Sequence, residues 1–177
     1  MRGFFGIGVQ EISKERNLGN LVRSAHSFDA SFFFTIGSEL NVKTIRSSDT
    51  SGAYDHMPFY EYESFEDFKL PKKCALVGVE FVEDSVELPS FKHPLQAAYI
   101  MGPEMGELNQ DVMDACDHVI KIPMKFCINV GTAGAIVMYD RLISLGKFAA
   151  RPAKSGGPDI EMSEHIHGLR RISRKKS

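Results

Sequence analysis

Residues 122–146 read IPMKFCINVGTAGAIVMYDRLISLG, and this stretch decides the fold class. It reads as the end of a strand, a short loop and a long helix. Val130, Ala133, Val137, Leu142 and Leu145 recur at helical spacing and form an apolar stripe. Asn129 suits the N-cap, where a side-chain oxygen can accept from main-chain N–H groups of the first turn. Gly146 suits the C-terminal cap. Arg141 and Lys147 lie near that end, where positive charge complements the helix dipole. Gly131 and Gly134 fall in the first turns, and each costs about 1 kcal/mol relative to alanine in a helix interior. Such positions point to close backbone approach, either to another segment or to a ligand. A helix packed tightly on a sheet meets that requirement as well as a binding site does.

Outward from this stretch, the chain alternates strands and helices. Residues 4–10, FFGIGVQ, are apolar without clean alternation, which suits a parallel strand covered on both faces. Leu18, Leu21, Val22, Ala25 and Phe28 then mark the buried face of a helix, with Asn17 and Asn20 as candidate caps. Residues 31–37 read as a second strand. Residues 41–58 are polar and turn-rich, a surface loop from which Arg46, Ser47, Ser48 and His56 could meet a substrate. A third strand spans 59–62, and Ser64 is expected to cap a short helix with Phe65 and Phe68. Residues 74–81 form a strongly apolar fourth strand, and 83–95 read as loop, punctuated by Pro89 and Pro94. A fifth strand at 97–101 runs into Gly102-Pro103-Glu104-Met105-Gly106. A helix beginning at Asn109 or Asp111 reaches about Ala115, and 118–122 is the sixth strand. Pro123 ends it, because proline has no N–H to donate. The order predicts an α/β fold with a mostly parallel sheet flanked by helices. Glycine-bearing corners follow the strands at 79–80, 102–106 and 122–134. In open α/β sheets that end of the strands is where ligands bind.

Composition narrows the classes. At 177 residues the chain reads as one domain over 1–150 followed by a basic, flexible tail over 151–177. Hydrophobic content of 43% and charged content of 25% are ordinary for a soluble globular protein. No apolar run approaches the roughly 20 residues that span a bilayer, so no membrane partner is expected. Cys74, Cys116 and Cys127 are widely spaced and odd in number, which is neither a disulfide framework nor a zinc pattern. No metal is expected, and a reduced cytoplasm fits. The net charge is -2, and the last ten residues, GLRRISRKKS, contribute +5, which leaves -7 for residues 1–167. A body of that sign does not grip nucleic acid over a broad face, so contact with a polyanion would be local or made by the tail. DNA is not an expected partner. No GxGxxG opens a helix after a strand, there is no GxxxxGK[ST], and there is no GxSxG. Those absences exclude a standard dinucleotide fold, a P-loop and a hydrolase elbow.

Three motifs, in order, carry a family resemblance. They are Asn17-Leu18-Gly19-Asn20-Leu21-Val22-Arg23-Ser24-Ala25, then Ile100-Met101-Gly102-Pro103-Glu104-Met105-Gly106-Glu107-Leu108, then Ile122-Pro123-Met124 with Ile128-Asn129-Val130. Over residues 3–148 the sequence resembles the SpoU/TrmH branch of the SPOUT RNA methyltransferases. The resemblance implies a deep trefoil knot in the C-terminal part, S-adenosylmethionine as cofactor without a metal, a homodimer, and 2'-O-methylation of an RNA ribose. By similarity, Asn17, Arg23, Glu104 and Asn129 match the polar active-site positions. Val79, Gly102, Glu104, Ile122, Met124, Ile128 and Ala133 match the cofactor site. Cys127 stands where the family usually has serine, and a thiol is a poorer hydrogen-bond donor than a hydroxyl. A guanidinium rarely gives up its proton, so Arg23 is read as holding a phosphate and orienting the hydroxyl. The chain lacks the additional RNA-binding domain of larger members, and small members act on tRNA, which favours tRNA over rRNA. A non-catalytic RNA- or nucleotide-binding protein on the same fold is the runner-up, favoured by Cys127, and the acidic body keeps open a third reading, an enzyme on small metabolites that binds no RNA.

Overall fold

The computed structural model describes residues 3–40 and 53–158. The chain divides into a first unit, Met1–Gly146, and a second, Lys147–Ser177. Residues 147–158 of the second contain no helix or strand. Arg46, Ser47 and Ser48, and the basic run of the last ten residues, lie outside the described residues.

Among the described residues the first unit holds seven strands: β1 (Phe4–Gln10), β2 (Phe32–Ile36), β3 (Phe59–Tyr62), β4 (Ala75–Val79), β5 (Val86–Glu87), β6 (Gln96–Met101) and β7 (His118–Lys121). They form one sheet in the order β3-β2-β1-β6-β4-β7-β5, and every pairing is parallel. β7 lies between β4 and β5, both of which precede it in the chain. Among the described residues the sheet is accompanied by three α-helices: α1 (Glu15–Ser27), α2 (Gln110–Ala115) and α3 (Val130–Leu145).

Two apolar cores follow from the two-residue period of the strands. Phe5, Ile7, Val9, Phe33, Val77, Tyr99 and Met101 face one way and pack with Leu18, Leu21 and Val22 of α1 and Val130, Ala133 and Val137 of α3. Phe34, Ile36, Leu76, Ala98 and Ile100 face the other way and pack with Leu108 and with Val112 of α2. On that second face β1 presents Gly6 and Gly8. A Cβ at Gly6 would lie 2.2 Å from the Phe32 ring, and one at Gly8 would lie 2.4 Å from the Phe34 ring. The glycines give those rings their space.

Several sequence expectations need correction. The N-cap of α1 is Lys14, without a side-chain cap bond; Asn17 and Asn20 lie inside the helix. The expected helix after Ser64 is a turn, in which the Ser64 hydroxyl donates to Asp67 Oδ2 at 2.7 Å and Phe68 N–H donates to Phe65 O at 3.1 Å. The supposed loop 83–95 contains β5 and a 3₁₀ turn, Leu88–Ser90. Gly134 does serve close approach between α1 and α3, since a Cβ there would meet Leu21 Cδ1 at 2.2 Å.

Arg141 departs furthest from its reading. It lies about one turn before the end of α3 but is buried, 3% exposed. Its guanidinium donates to the carbonyls of Pro94 (2.6 Å), Leu95 (2.9 Å) and Phe4 (3.5 Å) and to Tyr99 Oη (3.2 Å). Tyr99 Oη in turn lies 2.6 Å from His93 Nδ1, and His93 Nε2 lies 2.9 Å from Asp140 Oδ2. A neutral imidazole satisfies the chain: Nε2–H donates to Asp140 and Nδ1 accepts from the tyrosine. Burial lowers the His93 pKa and outweighs the upward pull of Asp140, with Arg141 adding to the depression. Between that lowered value and the unfolded value near 6.5, the unfolded chain binds a proton that folded His93 does not. Stability is therefore expected to fall as pH drops below about 6.5. Urea midpoints at pH 7.5 and 5.5 should show the loss, and an NMR titration should place the His93 imidazole below its ordinary value. A His93 that titrates above 6.5 would contradict this account of the cluster.

Candidate active site

All strands being parallel, their C-terminal ends gather at one edge of the sheet, and a cavity of about 370 Å³ opens there. Lys14 and Asn17 line it from beyond β1, Val79, Glu80 and Phe81 from the end of β4, and Met101, Gly102, Pro103, Glu104 and Gly106 from the end of β6. Lys121, Ile122 and Met124 close it from β7, and Cys127, Ile128, Asn129, Val130 and Ala133 from the entry to α3. Its size falls within the roughly 300–1,000 Å³ of small-molecule sites.

One wall is a hydrogen-bonded network that joins the three sequence motifs. Glu104 Oε1 accepts from Lys14 N–H (3.1 Å) and Asn17 Nδ2 (3.0 Å). Its Oε2 accepts from Ser13 N–H (3.2 Å) and the Ser13 hydroxyl (3.3 Å). Asn17 Oδ1 accepts from Asn129 Nδ2 at 2.6 Å. Asn129 Oδ1 accepts from Gly131 N–H at 2.9 Å and Thr132 N–H at 3.4 Å, which makes Asn129 the N-cap of α3. Each amide has one orientation that satisfies all these partners. Burial pushes the Glu104 carboxyl up, but the hydrogen bonds from Ser13, Asn17 and Lys14 outweigh it and hold the group below its ordinary value. Glu104 is thereby an ionised clamp, with its four acceptor sites filled by the segment 13–17.

The corner 102–109 is held at its other end too. Leu108 N–H donates to Glu80 Oε2 at 3.0 Å, and Asn109 N–H donates to Gln10 Oε1 at 3.0 Å. A Cβ on Gly102 would lie 2.9 Å from Glu80 Oε2 and 3.2 Å from Leu108 N. A side chain there would have to push the Glu80 carboxylate aside, so glycine lets the end of β6 approach it as it is placed.

The structure brings together Asn17, Glu104 and Asn129 with Val79, Gly102, Ile122, Met124, Ile128 and Ala133 around this cavity. It does not bring Arg23 there: that residue is exposed on α1 and is not part of the lining. His56 lies away in a 3₁₀ turn, stacked on His26. Cys127 is exposed at the cavity. Sequence reasoning missed Lys14, Glu80, Phe81 and Lys121. The corner at 79–80 was the one signal for two of them. Among the described residues no group of His, Cys, Asp and Glu is arranged to hold a metal ion.

No curated protein matches the sequence. Solved structures do. The AdoMet-bound rRNA methyltransferase from Sinorhizobium meliloti is 19% identical with a TM-score of 0.72, over 81% of this chain and 57% of that one. The SpoU methyltransferase AviRb from Streptomyces viridochromogenes, in complex with AdoMet, is 22% identical with a TM-score of 0.70, over 79% of this chain and 60% of that one. A structure described as showing 2-OH methylation of C/U34 on tRNA is 18% identical with a TM-score of 0.69, over 81% of this chain and 91% of that one. The chain thus spans less than two thirds of the length of the first two, at 57% and 60%. Such likenesses establish a shared fold. The family model described as SpoU rRNA Methylase matches residues 5–139, the span that holds β1 through most of α3 and the whole cavity wall, and on that match the chain belongs to the SpoU rRNA methylase family.

Proposed function

We propose that this chain is an S-adenosylmethionine-dependent RNA methyltransferase that methylates a ribose 2'-oxygen in tRNA. The observation that carries the reading is the network of Asn17, Glu104 and Asn129, which ties three distant segments into one wall of the cavity. Much of the remaining lining is apolar or main chain, with Val79, Gly102, Ile122, Met124, Ile128 and Ala133 available to hold the cofactor. Two carboxylates beside an apolar lining suit a nucleoside that carries a positive sulfonium.

When bound, the cofactor supplies an electrophilic methyl whose bonding pair stays with sulfur as the ribose oxygen takes the methyl. The rest is positioning. Asn129 and Asn17 fix the wall against which the ribose rests. Arg23, exposed on α1 outside the cavity lining, is left to bind an RNA phosphate, and since a guanidinium stays protonated, the hydroxyl proton leaves to water or phosphate. Ile136 and Tyr139 present an exposed apolar face on α3, and we assign it to a second copy of the chain.

Support for tRNA comes from the neighbour described for C/U34 of tRNA, which this chain matches over 91% of that neighbour's length. The test offers bulk tRNA and bulk rRNA separately to the purified protein with labelled S-adenosylmethionine. Label is expected in tRNA, from a protein with twice the chain mass by light scattering. Label in rRNA alone would overturn the choice of substrate, and no label in either would overturn the activity.

A further inference from the structure

We infer that Glu80 reads the sugar of the bound nucleoside, taking its adjacent 2'- and 3'-hydroxyls on one carboxylate. The inference rests on the cofactor reading above and concerns a residue that the three motifs do not contain.

The two carboxylates of the cavity are in different states. A carboxylate offers about four acceptor sites. Glu104 has four donors on it. Glu80 has two: Phe81 N–H on Oε1 at 2.9 Å and Leu108 N–H on Oε2 at 3.0 Å. Each of its oxygens therefore keeps one acceptor site. Lys121, on the same cavity, turns its ammonium to the carbonyls of Val82 and Glu83, at 3.3 and 3.2 Å, and so does not neutralise Glu80. Glu80 is half-buried and lines the cavity.

Its position is also fixed. Glu80 N–H donates to Ile120 O at 2.9 Å, which continues the β4–β7 pairing. The two main-chain donors hold the carboxylate plane, and Gly102 leaves room for Oε2. A rigid carboxylate with one free site on each oxygen matches a ligand with two neighbouring O–H donors, as a ribose diol has. Hydrogen bonds to an ionised acceptor are the strong kind. A ligand carboxylate would be repelled there, so the amino-acid end of the cofactor is not its partner. β6 lies between β1 and β4 in the sheet, so a sugar held at Glu80 leaves the Asn17–Asn129 wall free for the acceptor ribose.

The test is calorimetric and needs no turnover. S-adenosylhomocysteine and its 2'-deoxy analogue are titrated into the wild-type protein and into Glu80→Gln. In the wild type, loss of the hydroxyl is expected to weaken binding roughly ten- to a hundredfold. In Glu80→Gln that ratio should shrink to about threefold or less. A purely structural role, through Leu108 and Phe81, would weaken both ligands alike and leave the ratio unchanged, which would overturn the inference while the cofactor reading stands. A wild type that binds both ligands equally would overturn it without recourse to any variant. A wild type that binds neither would overturn the cofactor reading itself, and this inference with it.

Discussion

Gly8→Ala is expected to destabilise the folded protein by roughly 3 kcal/mol, the largest loss among single-methyl additions in the sheet. β1 is held on both sides, by β2 and β6, and cannot slide. A Cβ at position 8 would sit 2.4 Å from the main-chain oxygen of Phe34 and 2.4 Å from its ring. The ring could turn, although Phe34 is fully buried. The carbonyl cannot, because it belongs to the strand paired with Gly8 itself. Gly6→Ala provides the contrast. There the nearest obstacles are all atoms of the Phe32 ring, and Phe32 is only half-buried, so a smaller cost of about 1–2 kcal/mol is expected. Urea unfolding measures both, as midpoint shifts with an unchanged slope. A Gly8→Ala protein as stable as the wild type would refute the packing described for this strand.

The second large effect falls on activity. Glu104→Ala should lower methyl transfer by about a hundredfold, since a displacement of about 1 Å in a positioning site can cost that much. The substitution leaves the two main-chain N–H groups of 13 and 14, the Ser13 hydroxyl and the Asn17 amide without their shared acceptor. Water can reach these groups, so the loss of stability should be modest. What disappears is the link between the segment 13–17 and the end of β6, and through Asn17 the link to Asn129 and α3. Glu104→Gln should be intermediate, because the amide keeps one accepting oxygen but turns an NH₂ toward donors. The check is turnover at saturating cofactor, alongside the urea midpoint. Near-normal turnover in Glu104→Ala would remove Glu104 from the working wall.

The fold was legible where local sequence decides it. β1 and β3 occupy the stretches their apolar content indicates, and Asn129 caps α3 as its position before the helix implies. Gly131 and Gly134 announced a close approach, and α1 is what approaches. Errors arose where distant partners decide. Asn17 looked like a cap because asparagine favours that role, yet its amide is engaged by Glu104 and Asn129, 87 and 112 residues away. Arg141 looked like a charge at a helix end, but its acceptors are carbonyls of Phe4, Pro94 and Leu95 that no periodicity connects to it. β5 has two residues, too few to show any period. The stripe on α3 was also shifted: Met138 and Arg141 are buried, while Leu142 and Leu145 are half-exposed. At the site, the residues within the three motifs were legible through their shared order. Glu80 was not, because a single acid after a strand acquires meaning only when β6, β7 and α3 close a cavity over it.

The central claim is that this cavity serves transfer of a methyl group to a ribose oxygen. The most direct measurement takes tRNA labelled by the purified protein from S-adenosylmethionine, digests it to nucleosides and identifies the labelled species by mass spectrometry. The account predicts label in a 2'-O-methylated nucleoside, with the methyl on the sugar fragment. Label on a base, or unlabelled RNA from protein that binds the cofactor, would contradict it.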